Sequence, residues 1–79
     1  MLDPKLIEEW LSSALEIDHL NVDGDGHHFE ALIISKLFEG KNALARHRLV
    51  YQSLGEKLAE IHALSIKAYT PEEYSAASS

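Results

Sequence analysis

Residues 22–35 read VDGDGHHFEALIIS, and the fold turns on how this stretch divides. Gly24 and Gly26 give the chain access to positive φ, so the DGDG segment reads as the turn of a hairpin. Before it, Leu20 and Val22 alternate with Asn21 and Asp23, the period of a short strand. After it, FEALIIS at 29–35 reads as a second strand. Its run Ala31-Leu32-Ile33-Ile34 is apolar on both faces, which is expected of a central strand and not of an edge. The turn ends in two adjacent histidines, His27 and His28, that no turn requires.

Working outward, Asp3-Pro4 reads as an N-cap followed by proline at the first helical position, where its missing N–H costs nothing. Leu6, Ile7, Trp10, Leu11, Ala14 and Leu15 then recur at helical spacing, predicting a helix over 4–16. On the other side, FEGK at 38–41 reads as a loop, and Asn42 caps a helix over 43–60. The expected buried stripe of that helix is Leu44, His47, Tyr51, Leu54, Leu58 and Ile61, with a bend at Gly55. ALSIKAY at 63–69 alternates strictly and predicts a half-buried strand. TPEE at 70–73 combines a capping residue, proline at N1 and glutamate at N3, so a last short helix starts there. SAASS at 75–79 is expected to fray.

The first two strands make a hairpin. The long helical segment between the second and third suits a crossover to a parallel neighbour. The expected fold is therefore α+β, a three-stranded mixed sheet with helices packed on one face, in one domain over 1–79. At 79 residues and 46% hydrophobic content, the chain sits near the lower limit for a single unstapled core. It has no cysteine, so disulfides and thiolate chemistry are excluded and any metal ligands must be histidine, carboxylate or a partner's groups. No segment approaches a membrane span, and the start lacks a signal-peptide pattern; a soluble, cytoplasmic protein with no membrane association is expected. Seven Lys and Arg against thirteen Asp and Glu leave a net charge of -6, which repels a phosphate backbone at long range.

Parallel neighbours begin at the same edge of a sheet. The second strand begins beside His27 and His28 and the third beside His62, so this topology brings the three histidines together. Neutral imidazoles from separate loops suit zinc, iron or copper, but a closed structural site wants four protein ligands. The further candidates, Asp23 and Asp25, lie on a glycine-rich turn, so a partner is expected to complete any metal site. An exposed turn histidine is ordinarily only a polar residue, and His62 could equally serve to start its strand; spacing leaves both readings open. His47, on the apolar stripe, reads as a packing residue, and His19 as a solvated one.

Other chemistry fails on inspection. Gly24-Asp25-Gly26 begins like a dinucleotide-binding fingerprint, but Phe29 replaces the third glycine and a strand follows where a helix is needed. No Walker A pattern exists, and so small a domain offers no deep cleft for a nucleophilic triad, so the chain is not expected to be an enzyme. The segment 36–48 carries Lys36, Lys41, Arg46 and Arg48 against Glu39 alone, a basic patch on an acidic chain. It reads as a contact for nucleic acid, an acidic partner or an anionic ligand, or as a solvated helix face.

VDGDGHHF at 22–29, KLFEGKNALARHRLVYQSL at 36–54 and IHALSIKAYTPEEY at 61–74 together resemble the BolA family, most closely its short, cysteine-free bacterial members of the IbaG type. The resemblance covers nearly the whole chain. It implies an αββααβα domain similar to the class II KH fold, although the GXXG loop with which KH domains clamp nucleotides does not occur here. BolA-like proteins pair with monothiol glutaredoxins as heterodimers and can share a glutathione-dependent [2Fe-2S] cluster with them, so the free chain is expected to be a monomer. Carried onto this sequence, the family's C-terminal ligand histidine matches His62. The second ligand matches His27 or His28, and relatives with GSHF where this chain has GHHF favour His28. A ligating nitrogen must be unprotonated, so cluster binding is expected to weaken in acid. Some family members are described as transcriptional regulators. The resemblance therefore also allows DNA contact through Lys41, Arg46 and Arg48, although the net charge favours a glutaredoxin as the partner docked by that patch.

Overall fold

The computed structural model describes residues 2–78. In chain order it contains α1 (Pro4–Ala14), β1 (His19–Gly24), β2 (His28–Ile34), a 3-10 turn (Lys36–Phe38), α2 (Ala43–Leu54), a second 3-10 segment (Gly55–Glu60), β3 (Ala63–Tyr69) and α3 (Pro71–Ser78). This is the α+β arrangement expected from the sequence. The three strands form one sheet in the order β1-β2-β3, with β1 antiparallel and β3 parallel to the central β2.

Period-two alternation sorts the sheet into two faces. Val22, Phe29, Ala31 and Ile33 are buried and pack with Ile7 and Leu11 of α1 and Val50 and Leu54 of α2. Asn21, Asp23, Glu30, Ser65 and Lys67 are exposed on the other face. α1 and α2 therefore cover one side, and burial of their apolar stripes is the main stabilising contribution. α1 starts as its sequence dictates, with the Asp3 side chain accepting from the Lys5 N–H at 2.9 Å. No helix among the described residues is long and apolar enough to cross a membrane.

Four local expectations need correction. The buried stripe of α2 is rotated from the expected one: Val50 and Leu54 are buried, whereas Leu44 and Tyr51 are exposed. Leu49, Val50 and Tyr51 are consecutive, so apolarity alone could not fix the phase. The helix also ends at Gly55, whose φ of 56° starts the 3-10 segment, so the expected helix over 43–60 stops short, while Leu54 and Ile61 are buried as expected. The FEGK loop begins inside a 3-10 turn, capped by the Ser35 hydroxyl accepting from the Leu37 N–H at 3.1 Å. Of the SAASS tail, residues 75–78 belong to α3, and Ser79 lies outside the described residues.

The two hairpin glycines serve different purposes. Gly26 takes the positive φ, at 99°. Gly24, paired with Phe29 across the strands, is needed for space: a Cβ there would overlap Cδ1 of the buried Phe29 ring and lie 2.7 Å from the His28 carbonyl oxygen. Gly24→Ala is thus expected to lower stability by about 1–3 kcal/mol, the usual range for overpacking. Urea unfolding followed by circular dichroism measures this, and a midpoint equal to the wild type's would show that the hairpin yields freely.

Candidate functional site

The parallel ladder places the histidines. His28 pairs with Ala63 in register, and the Ala63 N–H donates to the His27 carbonyl at 3.1 Å, so His62 enters the sheet beside the hairpin turn. Its ring centroid lies 6.0 Å from that of His27 and 6.0 Å from that of His28, edge-on to each. All three residues are exposed. Exposed imidazoles at this spacing can offer nitrogens to a common metal while leaving other coordination positions to a partner. Among the described residues no group of three or more histidine, cysteine or carboxylate side chains is arranged to hold a metal ion by itself.

Asp25 shapes the turn that carries two of these rings. One carboxylate oxygen accepts from the His27 N–H at 2.9 Å and from the His28 N–H at 2.8 Å. The other stands 3.9 Å from His28 Nδ1. The two backbone donors, His28 first, hold the Asp25 carboxyl below its ordinary range. Its role here is to fix the loop, the usual use of a short acidic side chain in a turn. Asp23 sits elsewhere, opposite Glu30 in the ladder with the Asn21 amide donating to it at 3.0 Å.

The basic segment divides in two. Lys41 and Arg48 are exposed, and neither has an acidic partner within ion-pair distance among the described residues. Arg46, expected beside them in the contact surface, is instead consumed within the fold, its side chain only 12% exposed. Its guanidinium donates to both carboxylate oxygens of Glu73, at 2.6 and 2.9 Å, to the Ala68 carbonyl at 2.9 Å and to the Lys41 carbonyl at 2.8 Å. It also lies over the Phe38 ring, 5.8 Å from its centroid. Glu73 closes a capping box at the start of α3, accepting from the Thr70 N–H at 2.9 Å while the Thr70 hydroxyl accepts from the Glu73 N–H at 3.2 Å. The box was readable from TPEE; Arg46, 27 positions earlier, left no periodic signal of its involvement.

The Arg46 guanidinium, followed by the Thr70 N–H, holds the Glu73 carboxyl down from 4.5 to about 2. A depressed carboxylate contributes stability that is fully present above its unfolded pKa and lost as pH falls through the folded one. For Glu73 that window runs from 4.5 down to about 2. Glu73→Gln is expected to lower the urea midpoint at neutral pH, and the gap from wild type should shrink across this window. A gap unchanged with pH would show that the pair does not act through charge.

The family model described as BolA-like protein matches residues 2–73. The chain is 41% identical over 70 residues to the acid stress protein IbaG of Escherichia coli, covering 86% of this chain and 83% of that protein. It is 39% identical over 80 residues to the DNA-binding transcriptional regulator BolA of Vibrio cholerae, covering 94% of this chain and 76% of that protein. Among solved structures, a BolA protein homologue from Coxiella burnetii superposes with a TM-score of 0.87 at 47% identity, covering 95% of this chain and 99% of that one.

Proposed function

The chain belongs to the BolA-like family, and from that premise we propose that it is an adaptor which binds a monothiol glutaredoxin and shares or passes on a [2Fe-2S] cluster as cargo. The observation that carries this reading is the meeting of His62 with His27 and His28 on one exposed edge of the sheet. Two imidazole nitrogens fit an iron whose remaining ligands are sulfur, as in centres where histidine replaces thiolate. A chain without cysteine needs a partner and glutathione to supply those thiolates. His28 is favoured over His27 as the second ligand by the GSHF pattern of similar family members; the nearest carboxylate to its ring, that of Asp25, stands 3.9 Å from Nδ1, outside hydrogen-bond reach.

A second reading is DNA contact through the exposed Lys41 and Arg48, suggested by the similarity to the Vibrio cholerae DNA-binding transcriptional regulator. It has fewer cations to draw on than the sequence implied, because Arg46 is already bound to Glu73. Binding of that kind should fall steeply with salt and survive loss of His62.

The test is reconstitution with a monothiol glutaredoxin, glutathione, iron and sulfide, followed by visible circular dichroism. Adding the wild-type chain is expected to change the cluster spectrum, His62→Ala to abolish that change and His28→Ala to weaken it. If wild type and both variants leave the glutaredoxin spectrum unaltered, the shared-cluster reading fails.

A further inference from the structure

Because β3 runs parallel to β2, the crossover through α2 must carry the chain back along the sheet. α2 therefore starts at the end opposite the histidines. The Arg46 bond to the carbonyl of Ala68, near the end of β3, confirms this placement. On the outer face of this helix lies an open recess of about 370 Å³ lined by Lys41, Leu44, Arg48, Leu49 and Gln52. Leu44 is 59% exposed, the most exposed of the large hydrophobic side chains among the described residues.

We propose that this recess is a second docking site, for an acidic, leucine-bearing segment of a partner protein, that can be filled while the histidine end is occupied. What lies at the histidine end rests on the cluster reading; the recess itself does not. Charge complementarity fixes the chemistry. Lys41 and Arg48 lack acidic partners among the described residues, and α2, ALARHRLVYQSL, contains no carboxylate to oppose them. On a chain of net charge -6, such a locally cationic face attracts an acidic segment and sets its register. Leu44 and Leu49 supply the apolar centre that a protein segment fills on desolvation. A nucleic acid would gain nothing from the leucines, so the apolar centre favours a protein segment. Lys41 and Leu44, at the start of α2, lie at the end of the sheet opposite the histidines, from which β2, with seven residues, separates them by about 20 Å; from there the recess runs back along the helix to Gln52.

The test uses a synthetic amphipathic peptide of glutamates with leucines four apart, a lysine counterpart of the same pattern, and a duplex DNA, each titrated into the isotope-labelled chain and followed by NMR. The acidic peptide is expected to shift amides between 41 and 52 and to leave those of His27, His28 and His62 unmoved. Leu44→Asp and the double variant Lys41→Glu with Arg48→Glu should each weaken it about tenfold or more, equivalent to about 1.4 kcal/mol. All three substituted residues are exposed, so the folds should be intact, and far-UV circular dichroism checks this. His62→Ala should leave peptide binding unchanged. Equal binding of the lysine peptide, shifts centred elsewhere, or displacement of the acidic peptide by DNA would overturn the proposal. In the cluster reconstitution, loss of the shared spectrum in the double variant would mean that one partner spans both ends. That outcome defeats a separate site while leaving cluster sharing in place.

Discussion

The rest of the structure depends on the parallel pairing of β2 with β3. Phe29, Ala31 and Ile33 fix which face of β2 is buried, and a slip of one residue would turn all three outward. With that face set, β3 must align Leu64 with Phe29 and Ile66 with Ala31 to present its own apolar side to the helices. Ala63 then falls opposite His28, and His62 lands beside the hairpin turn. The juxtaposition of the histidines is thus enforced by core packing, even though none of the three is buried.

Much of this was legible because it is written in short-range chemistry. The alternation of residues 63–69, the doubly apolar run 31–34, the Asp3-Pro4 start and the TPEE capping box each act within a few residues, and each matches the observed element. The convergence of His62 with the hairpin was also accessible, since strand order and direction suffice to place it. The reading failed where two physical solutions shared one local pattern. Val50 and Tyr51 are adjacent and both apolar, and only the tertiary contact with the sheet decides which is buried. Arg46 and Arg48 look alike in sequence, yet one points into a cage of carbonyls and the Glu73 carboxylate while the other faces water. Gly24 was assigned the wrong reason: the constraint there is the Phe29 ring and not a positive φ.

The fate of Arg46 also explains how so small a domain anchors its last helix. Residues 72–77 of α3 are exposed, so burial contributes little to holding it. One guanidinium instead ties the loop before α2, the end of β3 and the first turn of α3 to each other. A planar donor with five N–H groups can satisfy acceptors in several directions at once, which a lysine could not do. The basic character of the segment is thereby divided: one cation serves the fold, and its neighbours are left to the surface.

The two ends of the sheet differ in kind as well as in charge. The histidine end is made of a turn and the exit from a 3-10 segment, held by backbone hydrogen bonds to Asp25 and between Ala63 and His27. Loops so tied keep their backbone in place, which suits the proposed centre completed from outside. The α2 surface presents side chains from successive turns of one helix, whose spacing is fixed before any partner arrives. A preorganised face loses less entropy on docking than a loop does. On the proposed cluster reading, an adaptor that accepts and releases cargo at the histidine edge gains from keeping a more rigid recognition surface along α2.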